Sequence, residues 1–232
     1  MPLLYDVVDA LYEKDRRKRR RRIWAVSILV LILGLTAAFW RQGQQVVAAV
    51  ASEVGVRRVE MFAEEIRSAA QESGVDPYLV AGVMYSESRG QVDARSTAGA
   101  LGLMQLALSA ASDAARRLGM PAPGEEELLS DAQLNIRLGA RHLAWLIEHQ
   151  GDMDLEQLLI CYNAGRTKFF RWCDRAGSYS AWRAGELRCM NRGEKNTGAL
   201  SYAVNTLAMR DHFRERGLIG PQHQLFLEID GQ

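Results

Sequence analysis

The stretch DPYLVAGVMYSESRG, Asp76 to Gly90, opens like a helix and ends on a carboxylate. Asp76 suits an N-cap and Pro77 the first helical position, where its missing N–H costs nothing. From Pro77 onward Glu87 shares its ridge with Met84, Val83 and Val80, at i−3, i−4 and i−7. A carboxyl on an apolar ridge loses hydration, and the partial negative charge of the helix C-terminus adds to the effect. Both raise its pKa. A carboxyl held protonated near neutral pH is what a general acid for glycosidic cleavage needs. The plainer alternative is a buried Glu bonded to flanking serines or backbone. Arg89, two residues on, is badly placed to pair with it.

Outward from this stretch the pattern stays helical. Phe62, Ile66 and Ala69/Ala70 recur at helical spacing and Gly74 is the expected C′ stop. ALSAASDAARRLG, SDAQLNIRLGARHLAWLIEHQG, MDLEQLLICYNAG and ALSYAVNTLAMRDHFRERG read as further helices. PAPGEEE reads as a loop, and the stretch between Cys173 and Cys189 as a polar, Gly-containing segment. The expected fold is all-α, with one domain over 56–215 and a tail at 216–232.

Before this domain the composition changes. Residues 1–22 carry eight Lys/Arg and four Asp/Glu, ending in RRKRRRR, and IWAVSILVLILGLTAAFW (Ile23 to Trp40) follows without a charge. Eighteen residues at about 1.5 Å each nearly match the hydrocarbon thickness. Aromatic residues stand at both ends, and the basic run precedes it. This predicts a cytoplasmic stub at 1–22, a single membrane-spanning helix at 23–40, a stalk at 41–55, and a domain outside the inner membrane of a bacterium. The rival is a cleaved signal peptide, with an overlong apolar core. Beyond residue 22 the chain holds 21 basic and 24 acidic residues. That balance excludes a duplex nucleic-acid binder, which needs a broad basic face, and leaves room only for a local basic patch. No Cys/His spacing suggests a zinc site. Neither a metal nor a cofactor is expected. Among the three cysteines, Cys161 reads as core, and a Cys173–Cys189 bridge closing about 15 residues is the favoured pairing.

Four motifs occur in order: GVDPYLVAGVMYSES with its Glu87-Ser88 pair, STAGALGLMQL, NIRLGARHL and CYNAG. Together they resemble the lytic transglycosylases of the soluble-transglycosylase-like (SLT) family, in the lysozyme superfamily, from about Val59 to Arg210. The resemblance implies a lysozyme-like helical fold and a domain that cuts peptidoglycan glycan strands between N-acetylmuramic acid and N-acetylglucosamine. It implies Glu87 as acid then base, and 1,6-anhydro products. By motif position it also implies substrate contacts from Ser96, Gln105, Tyr162 and Asn163, and less directly from Tyr202 in SYAVNTL. Read alone, Ser96 is a loop cap, Tyr162 and Tyr202 are core aromatics, and Asn163 is a helix cap. The chain departs from the family where Ala107-Leu108 replace the usual Met-Pro, so a cleft methionine is expected to be missing. Glu194 and Thr197 stand too far upstream of Tyr202 to match the family's last Glu-Thr cleanly. Asp93 matches no family position; a hydrolase on the same fold could use it to hold a water. A non-catalytic glycan-binding scaffold is the other alternative. The anchor suits local wall remodelling beside a secretion, conjugation or pilus assembly.

Overall fold

The computed structural model describes residues 24, 34–36, 39–149, 151–217 and 219. The stub expected at 1–22, most of the span expected at 23–40 and most of the tail expected at 216–232 lie outside them. Among the described residues no helix is long and apolar enough to cross a membrane. The chain divides into two units, 1–53 and 54–232. In the first, residues 39–53 are helical and mostly exposed.

The second unit is all-α among the described residues, apart from two isolated bridges, Arg95 with Leu101 and Leu101 with Leu106. After helical residues 54–60 come α1 (Ala63–Ser73), α2 (Pro77–Ser88), α3 (Leu108–Arg117), α4 (Glu125–Ser130) and α5 (Ala132–Glu148). They are followed by α6 (Leu155–Ala164), α7 (Arg166–Ala176), α8 (Tyr179–Arg192) and α9 (Ala199–Arg216). Local chemistry sets the ends. Gly74 closes α1 in the left-handed region, at φ 69°. Asp76 accepts the Tyr78 N–H at 3.0 Å to open α2, with Pro77 at its first position. Asp154 and Gln157 exchange bonds of 2.8 Å in a capping box at the start of α6.

Two stretches differ from the sequence reading. The loop expected at PAPGEEE becomes helical from Glu125, because Glu127 Oε2 accepts the Gly124 N–H at 2.7 Å and three acidic residues occupy the first turn. The segment around Cys173 and Cys189 is a helical hairpin, α7–α8. Its apolar seam is aromatic: Trp172 and Trp182 stack at 5.7 Å, and Phe169 meets Trp182 edge-on at 6.1 Å. The favoured Cys173–Cys189 bridge is not formed; all three cysteines are free thiols. Burial pushes the Cys161 thiol up to about 11, against a smaller downward pull from Arg166 and with a lesser upward push from Cys173.

α2 is the central helix. Leu79 through Met84 are buried without a break, so it is enclosed on all sides. The apolar ridge read from the sequence therefore does not by itself aim Glu87, since every face is apolar. α9 packs on α2 and α6. Gly82 permits the close approach to α9: a Cβ there would lie 2.7 Å from the Thr206 carbonyl and 2.9 Å from the Arg210 nitrogen. That crossing brings residues near 200 beside residues near 87.

Candidate active site

Glu87 sits in the last turn of α2 and is only partly covered, whereas Ser88 is buried. Ser88 ends the helix: its Oγ donates to the Met84 carbonyl at 3.2 Å and accepts the Gly90 N–H at 3.2 Å. Arg89 follows in the left-handed region at φ 51°, exposed, its guanidinium 5.9 Å from the Tyr85 ring. Glu87 is bonded by neither flanking serine. Tyr202, from α9, donates its hydroxyl to Glu87 Oε1 at 2.8 Å. Burial pushes the Glu87 carboxyl from 4.5 up to about 7, against a smaller downward pull from the Tyr202 hydrogen bond. The carboxyl is thus poised to give and take a proton near neutral pH.

Two tyrosines flank it. Tyr202 and Tyr162 are both driven well above the usual phenol range, by burial first and by the negative charge of Glu87 second. Both therefore stay neutral donors. The Tyr162 hydroxyl, on α6, donates to the Met104 carbonyl at 3.0 Å, and its ring lies 5.4 Å from that of His142. Burial lowers His142 to about 4, so its imidazole is uncharged at neutral pH. Behind Tyr202, the buried hydroxyl of Thr206 donates to the Tyr202 carbonyl and hydrogen-bonds Ser86 Oγ, each at 2.8 Å. Thr206 and Ser86 tie α9 to α2 one turn from the carboxyl. Thr206 was visible in the sequence only as one residue of a helical repeat.

The loop 94–106 carries the next two sequence candidates. Ser96 does close a turn: its Oγ accepts the Ala100 N–H at 2.9 Å. Its hydroxyl proton stays available. Gln105 adopts φ 47°, unusual without glycine, and its Nε2 donates to the Ala94 and Gly102 carbonyls at 3.0 and 2.9 Å. The amide nitrogen thus braces the loop, and the side-chain carbonyl oxygen is the group left for a ligand. Asn163 is exposed at the end of α6.

The loop is fastened from below by a residue the sequence reading did not single out. Asn135, on α5, is 1% exposed. Its Oδ1 accepts the Met104 N–H at 2.8 Å and its Nδ2 donates to the Leu101 and Leu128 carbonyls at 3.1 and 2.9 Å. Both of its N–H donors and its carbonyl oxygen are directed at backbone, which makes it a rivet between α5, α4 and the loop. Gly102, at φ 74°, lies against it, and a Cβ there would come within 2.2 Å of Asn135 Nδ2. The signal was present as the Asn of NIRLGARHL and the Gly of GALGLMQ.

The remaining carboxylates stand apart. Asp93 is exposed in the loop after α2. Glu194, the weak sequence candidate, pairs with Arg192 at 3.1 Å on the surface. The Glu that meets Thr197 is Glu186, buried on α8, which accepts the Thr197 hydroxyl at 2.6 Å and its N–H at 3.0 Å. Among the described residues no group of three or more His, Cys, Asp or Glu could hold a metal ion.

The sequence profile of the family described as Transglycosylase SLT domain matches residues 64–184, just over half of the chain. The chain belongs to the transglycosylase SLT domain family. The endo-type membrane-bound lytic murein transglycosylase A of Salmonella typhimurium is 34% identical over 96 residues. That stretch is 41% of this chain and 47% of the relative, so the similarity spans about half the length of the curated relatives it matches. Among solved structures, an inactive mutant of the lytic transglycosylase Slt from Pseudomonas aeruginosa superposes with TM-score 0.54 at 23% identity, over 68% of this chain and 24% of that one. The 70 kDa soluble lytic transglycosylase of Escherichia coli does so with TM-score 0.54 at 19% identity, over 66% and 24%. These likenesses establish the SLT-domain fold. The profile match stops before α9, so the contact of Tyr202 with Glu87 is seen in the geometry alone.

This contact yields a test. Tyr202→Phe removes the donor that favours the ionised carboxylate, so the Glu87 pKa rises. The alkaline limb of the pH–rate profile should move to higher pH, with a maximal rate about tenfold lower. An unmoved limb would mean that the hydroxyl does not act on Glu87.

Proposed function

We propose that the protein is a membrane-anchored peptidoglycan lytic transglycosylase, with its SLT domain on the periplasmic side of a bacterial inner membrane. The observation that carries the reading is one raised carboxyl, Glu87, held by a tyrosine hydroxyl, in a chain of this family. The curated relatives are lytic murein transglycosylases, and a 70-kDa soluble lytic transglycosylase has been solved with bulgecin A. The anchor rests on the apolar run 23–40 and its basic flank.

In this reading protonated Glu87 gives its proton to the glycosidic oxygen between N-acetylmuramic acid and N-acetylglucosamine. The C1–O bond breaks and the N-acetylglucosamine hydroxyl leaves. The Glu87 carboxylate then takes the proton of the muramoyl C6 hydroxyl, whose oxygen closes on C1. The product is a 1,6-anhydro sugar, no water is consumed, and Glu87 ends protonated as it began. A single carboxyl serves both steps, unlike the two of ordinary glycosidases. Positive charge developing at C1 and the leaving oxygen are met by neutral groups: the Tyr162 and Tyr202 hydroxyls, Ser96, the Gln105 carbonyl and Asn163. Placement at the membrane suits local opening of the wall for a secretion, conjugation or pilus assembly.

Mass spectrometry of digested peptidoglycan tests the chemistry. Muropeptides should end in 1,6-anhydro-muramoyl groups, each lighter than the reducing-end form by one water. Reducing ends would assign a hydrolase, and no cleavage would leave a glycan-binding scaffold.

A further inference from the structure

Charge is distributed unevenly over the chain. Residues 166–195, which contain α7 and α8, hold eight Lys/Arg against three Asp/Glu, while 23–165 and 196–232 hold thirteen against twenty-one. A basic arm is thus set into an acidic remainder. On α7, Lys168, Arg171 and Arg175 are spaced i, i+3, i+7 and are all exposed, so they share one face. None of the three has an acidic partner among the described residues, and Asp174 is the only acidic residue of α7. Arg188 on α8 is likewise exposed and unpaired. A solvated helix face usually alternates signs at i+3 and i+4; here those neighbours repel each other, which works against the helix. The helix is held regardless, by the Phe169–Trp172–Trp182 seam to α8, and α8 is itself held by Glu156. Glu156 takes the Arg183 guanidinium at 2.6 and 3.0 Å and the Tyr179 hydroxyl.

The position of the arm is set by the chain. α7 begins three residues after Asn163. Glu186, midway along α8, is bonded to Thr197, just before α9 carries Tyr202 to Glu87. Both roots of the hairpin therefore lie in the segments that flank the carboxyl. A basic face on an element rooted between Asn163 and Thr197 fits an acidic partner that arrives with the glycan. The peptide stems borne by the muramoyl residues carry free carboxylates. We propose that Lys168, Arg171 and Arg175 form a binding face for these acidic stems, so that the domain prefers stem-bearing glycan to naked glycan. The proposal rests on the peptidoglycan reading given above.

Binding of the full-length Glu87→Gln variant to glycan strands tethered to a surface by their ends, before and after stripping of the stems by an amidase, reads this without turnover. At low salt the parent should bind stem-bearing strands about tenfold more tightly than stripped ones, the sum of three modest exposed ion pairs. The preference should fade toward 0.5 M salt, a concentration of roughly the order that screens such pairs. Adding Lys168→Glu, Arg171→Glu and Arg175→Glu should bring the ratio to about one. The triple Gln variant, which relieves the repulsion on α7, serves if the Glu triple does not fold, and should lower the ratio as well. No preference in the parent, or a preference that survives the substitutions, overturns the proposal. So does a triple variant that loses binding only to phosphatidylglycerol vesicles, since the face would then be a lipid contact. Missing anhydro products from the wild type would defeat the catalytic reading instead, which this binding ratio does not touch.

Discussion

Glu87→Gln should lower the rate of glycan cleavage by roughly a thousandfold, within the range for loss of a general acid. It should also make the protein more stable at alkaline pH. The sign follows from linkage. The Glu87 pKa is raised from 4.5 to about 7 on folding, so the folded state holds a proton that the unfolded chain has released. Stability linked to this group is fully present below pH 4.5 and is lost as pH rises through about 7. A difference of that size corresponds to about 3 kcal/mol. Gln cannot ionise, so at pH 8 the variant should exceed the wild type by up to about this amount in chemical denaturation, and the gain should vanish at pH 4. A catalytic carboxyl that destabilises its own fold is a known cost of active sites. A wild-type rate in the variant removes Glu87 from the chemistry; an unchanged pH dependence of stability removes the burial argument.

Asn135→Ala should produce the largest loss of stability outside the apolar core. The substitution leaves the Met104 N–H and the Leu101 and Leu128 carbonyls without their partner at a site that is 1% exposed. Orphaned buried groups cost about 1–3 kcal/mol each, offset where a water fills the gap, so a total of about 3 kcal/mol is expected. For a domain of this size that is a fall of about 10 °C in Tm. The effect should reach the site, because Met104 is the residue whose carbonyl receives the Tyr162 hydroxyl. Loosening loop 94–106 should therefore lower kcat beyond what the loss of folded protein explains. Thermal unfolding together with activity measured well below Tm checks both parts, and a change under about 1 kcal/mol would contradict the rivet.

Much of the domain was legible because its signals are local. Asp76 and Pro77 opening α2 and Gly74 closing α1 depend only on neighbours within four residues. The carboxyl itself was legible for a partly incomplete reason. Helical spacing placed Glu87 among Val80, Val83 and Met84, yet α2 is apolar on every side, and what singles out Glu87 is the Tyr202 hydroxyl from 115 residues away. Such contacts leave no trace in spacing. The α7–α8 hairpin was missed because six Arg interrupt its apolar period and Gly177 breaks it in the middle; its seam is aromatic and forms only when the two helices meet. Asn135 opens the NIRLGARHL motif, yet its task was not legible there, since nothing local reveals that its amide reaches three backbone groups in α4 and the loop. The disulfide expected between Cys173 and Cys189 is absent for the same reason, as the polar, Gly-containing segment between them folds into two helices that hold the thiols apart.

The most direct measurement is the titration of the Glu87 carboxyl itself, by carbon-13 chemical shift in protein labelled at Glu, with Glu87→Gln assigning the signal. The account predicts a midpoint at about 7. A midpoint in the ordinary carboxylate range, near 4.5, would contradict it, because Glu87 would then reach neutral pH without a proton to give.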